Sequence, residues 1–196
     1  MDILYSDKNL TVCVKPVGID SETGIPELIK AEFGGEVYTV HRLDMNVGGV
    51  MVYARNKQTA ATLSRSIQQG EMIKEYVACV QGIPPKEGVF EDLLFKDSRK
   101  NKVFVVTRLR KGVKEAKLEY VRLSDKDPSL VRIRLHTGRS HQIRVQFASR
   151  GFPLVGDHKY GSKSECKSPM LYSCRISFPY KGEIVSFESL PDWATE

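Results

Sequence analysis

Alternation of apolar and charged positions dominates the middle of the chain. Over residues 130–136, Val131, Ile133 and Leu135 alternate with Arg132 and Arg134, the mark of a strand that buries one face and projects arginines from the other. Runs of β-branched and aromatic residues at 11–15, 75–80, 103–107, 116–123, 170–178 and 183–187 predict further strands. The nearly continuous apolar stretch 49–55 predicts a buried one.

Helical spacing is rarer. Pro26 at a first helical position precedes Leu28, Ile29 and Phe33, with Gly34-Gly35 as the stop, which predicts a helix over 27–33. Asn56 is placed to cap a helix over 57–69 that Gly70 ends, and Ser140 to cap one over 141–150 that Gly151 ends. Strands in runs with a few helices, rather than strict strand-helix alternation, predict an α+β fold: a mixed, largely antiparallel sheet flanked by a few helices. Neither repeats nor a linker interrupt the chain, so residues 1–196 are expected to form a single domain. The Lys-, Ser- and Gly-rich segment 159–169 is the expected mobile loop.

Composition excludes several classes. Hydrophobic residues make up 41% and charged residues 28%, and a mean hydropathy of -0.31 describes a globular chain, not a disordered one. No run approaches the roughly 20 apolar residues of a membrane span. Met1-Asp2-Ile3-Leu4-Tyr5 lacks the basic start and apolar stretch of a signal peptide, so a cytoplasmic protein with no membrane partner is expected. Cys13, Cys79, Cys166 and Cys174 form no C-x-x-C pair, which argues for reduced, structural thiols and against a zinc ribbon.

Charge changes the picture more. The whole chain carries +6, but residues 96–144 hold fifteen Lys or Arg against five acids. That segment alone is at +10 and the remainder at -4. A basic stretch threaded through strands can line a groove that neutralises phosphates, although a solvated face is the plain alternative.

Two constellations carry candidate chemistry. His41-Arg42-Leu43-Asp44 sits in a non-helical connection before Gly48-Gly49 and an apolar strand; such a carboxylate is either a solvated cap or a reactive group held where glycine lets a substrate backbone approach. Leu135-His136-Thr137-Gly138-Arg139-Ser140-His141-Gln142-Ile143-Arg144 is a strand, a turn and a helix start dense in hydrogen-bond donors, a setting that favours an anion. Arg144 follows Ser140 by four and His141 by three, which places them near one another on a helix. His136 and His141 are five apart, so they are not a zinc pair, and no metal site is expected. No Gly-rich phosphate loop, dinucleotide fingerprint, G-x-S-x-G or kinase set occurs.

Together these residues resemble the RluA family of pseudouridine synthases. The likeness also takes in Lys74-Glu75-Tyr76-Val77-Ala78-Cys79-Val80-Gln81-Gly82, Gly151-Phe152-Pro153-Leu154-Val155-Gly156-Asp157 with Tyr160-Gly161, and the opening up to Lys15-Pro16-Val17-Gly18. The resemblance implies the family's catalytic fold and the isomerisation of uridine in ribosomal or transfer RNA, without a cofactor. It implies that Asp44 attacks the flipped uridine, that Arg42 helps take the base out of the stack, that Tyr76 packs on the base and takes part in proton removal, and that Arg144 pairs with the aspartate. RNA contacts are expected from Arg42, His41, Arg139, His141, Gln142, Arg132 and Arg134. Val47-Gly48-Gly49 stands where the family commonly has Thr-Ser-Gly, and Ser173-Cys174 where many relatives have His-Ala. The family-like core begins almost at Met1, so the small N-terminal RNA-binding domain of many relatives is expected to be absent, and the chain to act as a monomer. The rival reading is a non-catalytic RNA-binding or RNA-folding factor on the same scaffold, to which the two hydroxyls lost after Asp44 point. A nuclease using His41 and His141 as acid and base is the third.

Overall fold

Seven residues in a row, Gly48–Ala54, are buried along strand β4, because β4 is flanked on both edges and covered on its faces. The computed structural model describes residues 1–195. The chain packs as two compact units, one made of residues 1–74 with 172–195, the other of residues 75–171.

In the first unit, strands β1 (Asp2–Ser6), β2 (Leu10–Lys15), β4 (Gly48–Ala54) and β10 (Leu171–Tyr180) lie side by side, with β3 (Tyr38–Thr39) on β4 and β11 (Glu183–Glu188) on β10. All these pairings are antiparallel except β4 with β10, which are parallel. Leu10, Val12, Val50, Val52, Leu63, Ile176 and Phe178 make the core. Helix α1 (Gly24–Phe33) starts before Pro26, which sits in the first turn where its missing N–H costs nothing. Its buried face is Ile25 and Ile29, whereas Leu28 and Phe33 face outward; Arg55 covers the Phe33 ring, 5.5 Å from its centroid. Helix α2 (Lys57–Gln68) begins as the sequence predicts, the Asn56 side chain accepting the Thr59 N–H at 2.8 Å.

In the second unit the strand order is β5 (Ile73–Val80), β9 (Ser129–Leu135), β8 (Val113–Arg122), β6 (Glu87–Asp97), β7 (Lys102–Val106). The pairs β6–β7, β6–β8 and β8–β9 are antiparallel. Helix α3 (Gln142–Ala148) packs Phe147 edge-on against Phe90 and Tyr120, with centroids 5.0 and 5.1 Å apart. The alternation at 130–136 is borne out: Val131 and Ile133 are fully buried while Arg132 and Arg134 project. The α+β reading with a mixed, largely antiparallel sheet thus holds in both units.

One strand goes unpredicted and one expected cap is replaced, each for a physical reason. Strand β6 escapes the sequence pattern because its inner face carries Asp92, satisfied by Gln146 and Arg150, while its outer face carries Val89, Leu93 and Phe95. The α3 start is capped not by Ser140 but by His141 in the left-handed region at φ 49°, with no side-chain cap. Segment 159–169 is stitched to itself, the Gly156 N–H donating to Ser162 and Ser164 and both His158 ring nitrogens bonding to the Ser162 and Cys166 carbonyls.

Gly49 answers a packing need. Its φ is +123° and a Cβ there would lie 2.3 Å from the Ser173 carbonyl oxygen, where β4 and β10 pair at Ser173↔Gly49. The space expected for a substrate is taken by a strand. Gly49→Ala combines a disfavoured φ with a backbone collision and is expected to cost roughly 2–5 kcal/mol. Gly18→Ala, at φ +90° with nothing within 4 Å, is expected to cost less. Urea midpoints of the two variants check the contrast.

Candidate active site

The loop that carries Asp44 is held on both sides of that residue. Before it, Leu43 is buried and its backbone is clasped by Ser21, whose Oγ donates to the Leu43 carbonyl at 2.9 Å and accepts its N–H at 3.2 Å. After it, the Met45 carbonyl accepts from the Gly18 N–H at 2.8 Å and from Lys15 Nζ at 3.2 Å, and the Val47 N–H closes a turn on the Asp44 carbonyl at 2.9 Å. Asp44 itself is half-buried. Lys15, at the end of β2, is fully buried and also donates to the Pro16 carbonyl at 2.9 Å. Burial pushes its ammonium down to about 8, against the opposing pull of the Asp20 and Asp44 carboxylates. The ammonium therefore places positive potential beside Asp44.

Gly48, next in the chain, is hemmed in by the Lys15 carbonyl at 3.2 Å and the Tyr172 ring at 3.4 Å from a built Cβ. A side chain there would press on these neighbours by no more than a few tenths of an ångström. Arg42 is exposed and pairs with Glu22 at 3.0 Å. His41 turns inward: its Nε2 accepts the Val52 N–H of β4 at 3.2 Å. Burial, with Lys74 adding, pushes its imidazole down to about 3, so the neutral ring stitches the loop to the sheet instead of reaching out to RNA.

The second unit holds the other constellation. Arg144 and Asp157 form a buried fork, Nε to Oδ2 at 2.6 Å and Nη2 to Oδ1 at 2.8 Å, with 8% and 1% of the side chains exposed. This uses one edge of the guanidinium and leaves Nη1 outside the pair. The Tyr160 ring lies 5.2 Å from the Arg144 guanidinium carbon. Its hydroxyl accepts the Val103 N–H at 2.9 Å and sits 2.9 Å from His141 Nδ1. His141 and Arg144 thus meet through Tyr160, and not through the helical spacing expected, since His141 stands outside α3.

Gln142 is buried and its amide is consumed by the turn: Oε1 accepts from Thr137 and from the Arg139 N–H, and Nε2 donates to the Lys117 carbonyl. That gives it a positioning task and takes it off the surface expected to meet RNA. Arg139 Nε donates to the Glu115 carbonyl at 2.8 Å. On β9, Arg132 faces Glu75 at 2.8 Å and Arg134 faces Glu119 at 3.6 Å. Tyr76 lies on β5, 6% exposed.

Sequence reasoning gave no role to Lys15, Ser21, Asp157 and Tyr160, although all but Ser21 fall in the family-like segments. Lysine ending an otherwise apolar strand was a signal for the first, since such a position is seldom solvated. The last three have ordinary local contexts, and only the fold reveals their partners. Among the described residues no cluster of His, Cys, Asp or Glu is arranged to hold a metal ion, and no helix is long and apolar enough to cross a membrane.

With this geometry in view, comparison with known proteins is specific. Residues 3–149 match the family described as RNA pseudouridylate synthase. The chain is 33% identical to an uncharacterized RNA pseudouridine synthase of Aquifex aeolicus, over 96% of this chain and 68% of that protein. It is 33% identical to the dual-specificity RNA pseudouridine synthase RluA of Escherichia coli, over 97% and 93%. Among solved structures, human RNA pseudouridylate synthase domain containing 4 superposes with a TM-score of 0.82 at 25% identity, covering 98% of this chain and 89% of that one.

Two outcomes follow from the geometry. Asp157→Asn removes the negative charge from the fork on the buried Arg144 guanidinium and is expected to lower stability by roughly 3–5 kcal/mol in urea unfolding. For His41 the native pKa lies below the unfolded value, so its contribution is complete above pH 6.5 and is lost as pH falls toward 3. Wild type is expected to lose stability over that window relative to His41→Gln, which has no such proton to bind; parallel unfolding curves at pH 7 and pH 4 measure the difference.

Proposed function

Because the chain belongs to the RNA pseudouridylate synthase family, and within it to the RluA group of isomerases, we propose that it converts uridines of ribosomal or transfer RNA to pseudouridine with Asp44, Tyr76 and Arg144 as the reacting set. The observation that carries the assignment of Asp44 is the clamp on its loop. Leu43 and Met45 are fixed by Ser21, Gly18 and Lys15, which holds a half-buried carboxylate at a set place.

The chemistry is an isomerisation with no redox change. The bond from C1′ of ribose to N1 of uracil breaks, the base turns, and a bond from C1′ to C5 forms. The hydrogen on C5 leaves as a proton, and N1 ends protonated. An ionised carboxylate serves this reaction as a nucleophile at the sugar or as a base on it. In this reading Arg144 pairs with Asp44, as the family resemblance implies, and Tyr76 packs on the base and helps remove the C5 proton.

A uridine in folded RNA must leave its stack first, at a cost of a few kcal/mol. Exposed Arg42 is the residue proposed to fill its place, with Arg139 and His141 contacting the RNA nearby. Arg132 and Arg134 are proposed to contribute by exchanging Glu75 and Glu119 for phosphates. We further propose that residues 1–196 work as one catalytic domain, as a monomer and in the cytoplasm, where these RNAs are accessible. Support for catalysis over a mere binding role comes from the relatives and the fold neighbour, which are named as RNA pseudouridine synthases.

The deciding experiment is release of tritium from RNA made with uridine labelled at ring position five. Wild type is expected to release it from ribosomal or transfer RNA, and Asp44→Ala to release none. Absence of release by wild type while RNA binding persists would return the chain to the RNA-binding factors.

A further inference from the structure

The cations of the inner strands are already matched. Arg132 faces Glu75, Arg134 faces Glu119 and Lys117 pairs with Glu91 at 2.6 Å. The unmatched charge lies at the other edge of the second unit. Between residues 96 and 114 eight Lys or Arg stand against the single acid Asp97, a balance of +7 that exceeds the +6 of the whole chain. Among the described residues Arg99, Lys100, Arg108, Arg110 and Lys111 make no ion pair.

This segment covers the end of β6, all of β7 and the start of β8. Phe95 is the cross-strand partner of Phe104 on β7 and of Val113 on β8, so the three side chains leave the same face of the sheet. It is the face opposite the core, since Leu94, Val103 and Ala116, alternating with them, pack with Val145 and Tyr160. Phe104 is 36% exposed and nearby Leu109 is 69% exposed. Each ring carries a cation: the Arg110 guanidinium carbon is 5.0 Å from the Phe95 centroid and Lys102 Nζ is 5.8 Å from that of Phe104.

Aromatic side chains on the open face of an antiparallel sheet, flanked by cations without carboxylate partners, fit one chemistry well. Unpaired bases stack on rings and on guanidinium planes, and the cations take the phosphates between them. An acidic peptide would satisfy the charges but offers nothing planar to Phe104. We propose that the outer face of the β6–β7 hairpin binds a single-stranded stretch of RNA by stacking bases on Phe104 and on the Phe95–Arg110 pair. This deepens the reading of RNA as the substrate and rests on it: the hairpin grips unpaired nucleotides beside the modified one in sequence or in fold, so it selects loops over duplexes.

The test uses the full chain and a labelled twelve-nucleotide oligoadenylate, which has broad stacking surfaces and no uridine to isomerise. Phe104→Ala is expected to weaken its binding about tenfold to a hundredfold, to leave the slope of affinity against salt unchanged because no cation is lost, and to leave binding of a duplex RNA of the same length within twofold. Phe104→Trp is expected to bind as wild type and to lose its added fluorescence as the oligonucleotide stacks, and it decides the matter if Phe104→Ala does not fold. Unchanged affinity in Phe104→Ala, an equal loss for single strand and duplex, no quenching in Phe104→Trp, or displacement of the oligonucleotide by polyglutamate at equal charge would each overturn the proposal. Because oligoadenylate binding is read without isomerisation, failure of tritium release would leave this result standing. Loss of the stacking effect with release intact would remove only the hairpin site.

Discussion

A guanidinium that is only 8% exposed is tenable in this protein because the Asp157 carboxylate forks onto it, and much of the second unit is arranged around that pair. Taking either ion from water costs several kcal/mol, which is recovered only with good geometry and with the remaining hydrogen-bonding capacity satisfied. Both conditions shape the fold nearby. Asp157 presents its two oxygens because the turn that follows it is closed by the Tyr160 and Ser162 N–H groups on its carbonyl. Tyr160, placed by that turn, lays its ring on the guanidinium and anchors its hydroxyl on β7 through the Val103 N–H. Helix α3 is short and starts in a left-handed residue, yet it is fixed at one end by His141 on Tyr160 and at the other by Arg150 on Asp92 of β6.

The first unit solves a matching problem by backbone rather than by ion pairing. The loop that carries Asp44 is fixed without a helix or strand of its own. Here rigidity comes from a hydroxyl that acts as both donor and acceptor, Ser21 on Leu43, and from a buried lysine that spends its protons on two carbonyls. A lysine in that place is costly, as its pKa near 8 shows. The cost is offset where its charge has two carboxylates to face, Asp20 and Asp44. The inward His41 belongs to the same economy of the loop: only its neutral ring can accept the Val52 N–H, so the stitch to β4 is compatible with neutral pH and not with acid.

Legibility followed burial pattern. Strand β9 could be read from the sequence because Val131, Ile133 and Leu135 on one face alternate with Arg132 and Arg134 on the other, and α2 because Asn56 caps it in the ordinary way. Strand β6 could not, since a buried Asp92 and exposed Val89 and Phe104-facing Phe95 reverse the sense of inside and outside that pattern reading assumes. Of the site, the chemistry-bearing motifs around Asp44 and Arg144 stood out in the chain, whereas Asp157 and Tyr160 did not. Their roles come from partners thirteen and more residues away, and nothing in their local sequence encodes a partner. Gly49 was noticed for the right property, its lack of a side chain, but the neighbour that needs the room is Ser173 of β10, which no local reading can supply.

The same reversal that hid β6 is informative about function. A strand face left partly open to solvent gains less stability from apolar residues than a covered one, and alternating polar residues would serve solubility better. Phe95, Phe104 and Val113 on such a face therefore need another account, and so do cations left without carboxylates when those on β8 and β9 are nearly all paired. A polyanion alone would explain the cations and leave the rings idle; an apolar partner would explain the rings and be opposed by the charges. A ligand with planar apolar faces and a regular line of negative charge accounts for both at once, and RNA with its bases unpaired is such a ligand. The enzyme's chemistry already demands a base out of its stack, so a surface that favours unstacked nucleotides would lower the cost of reaching that state before the reacting groups engage.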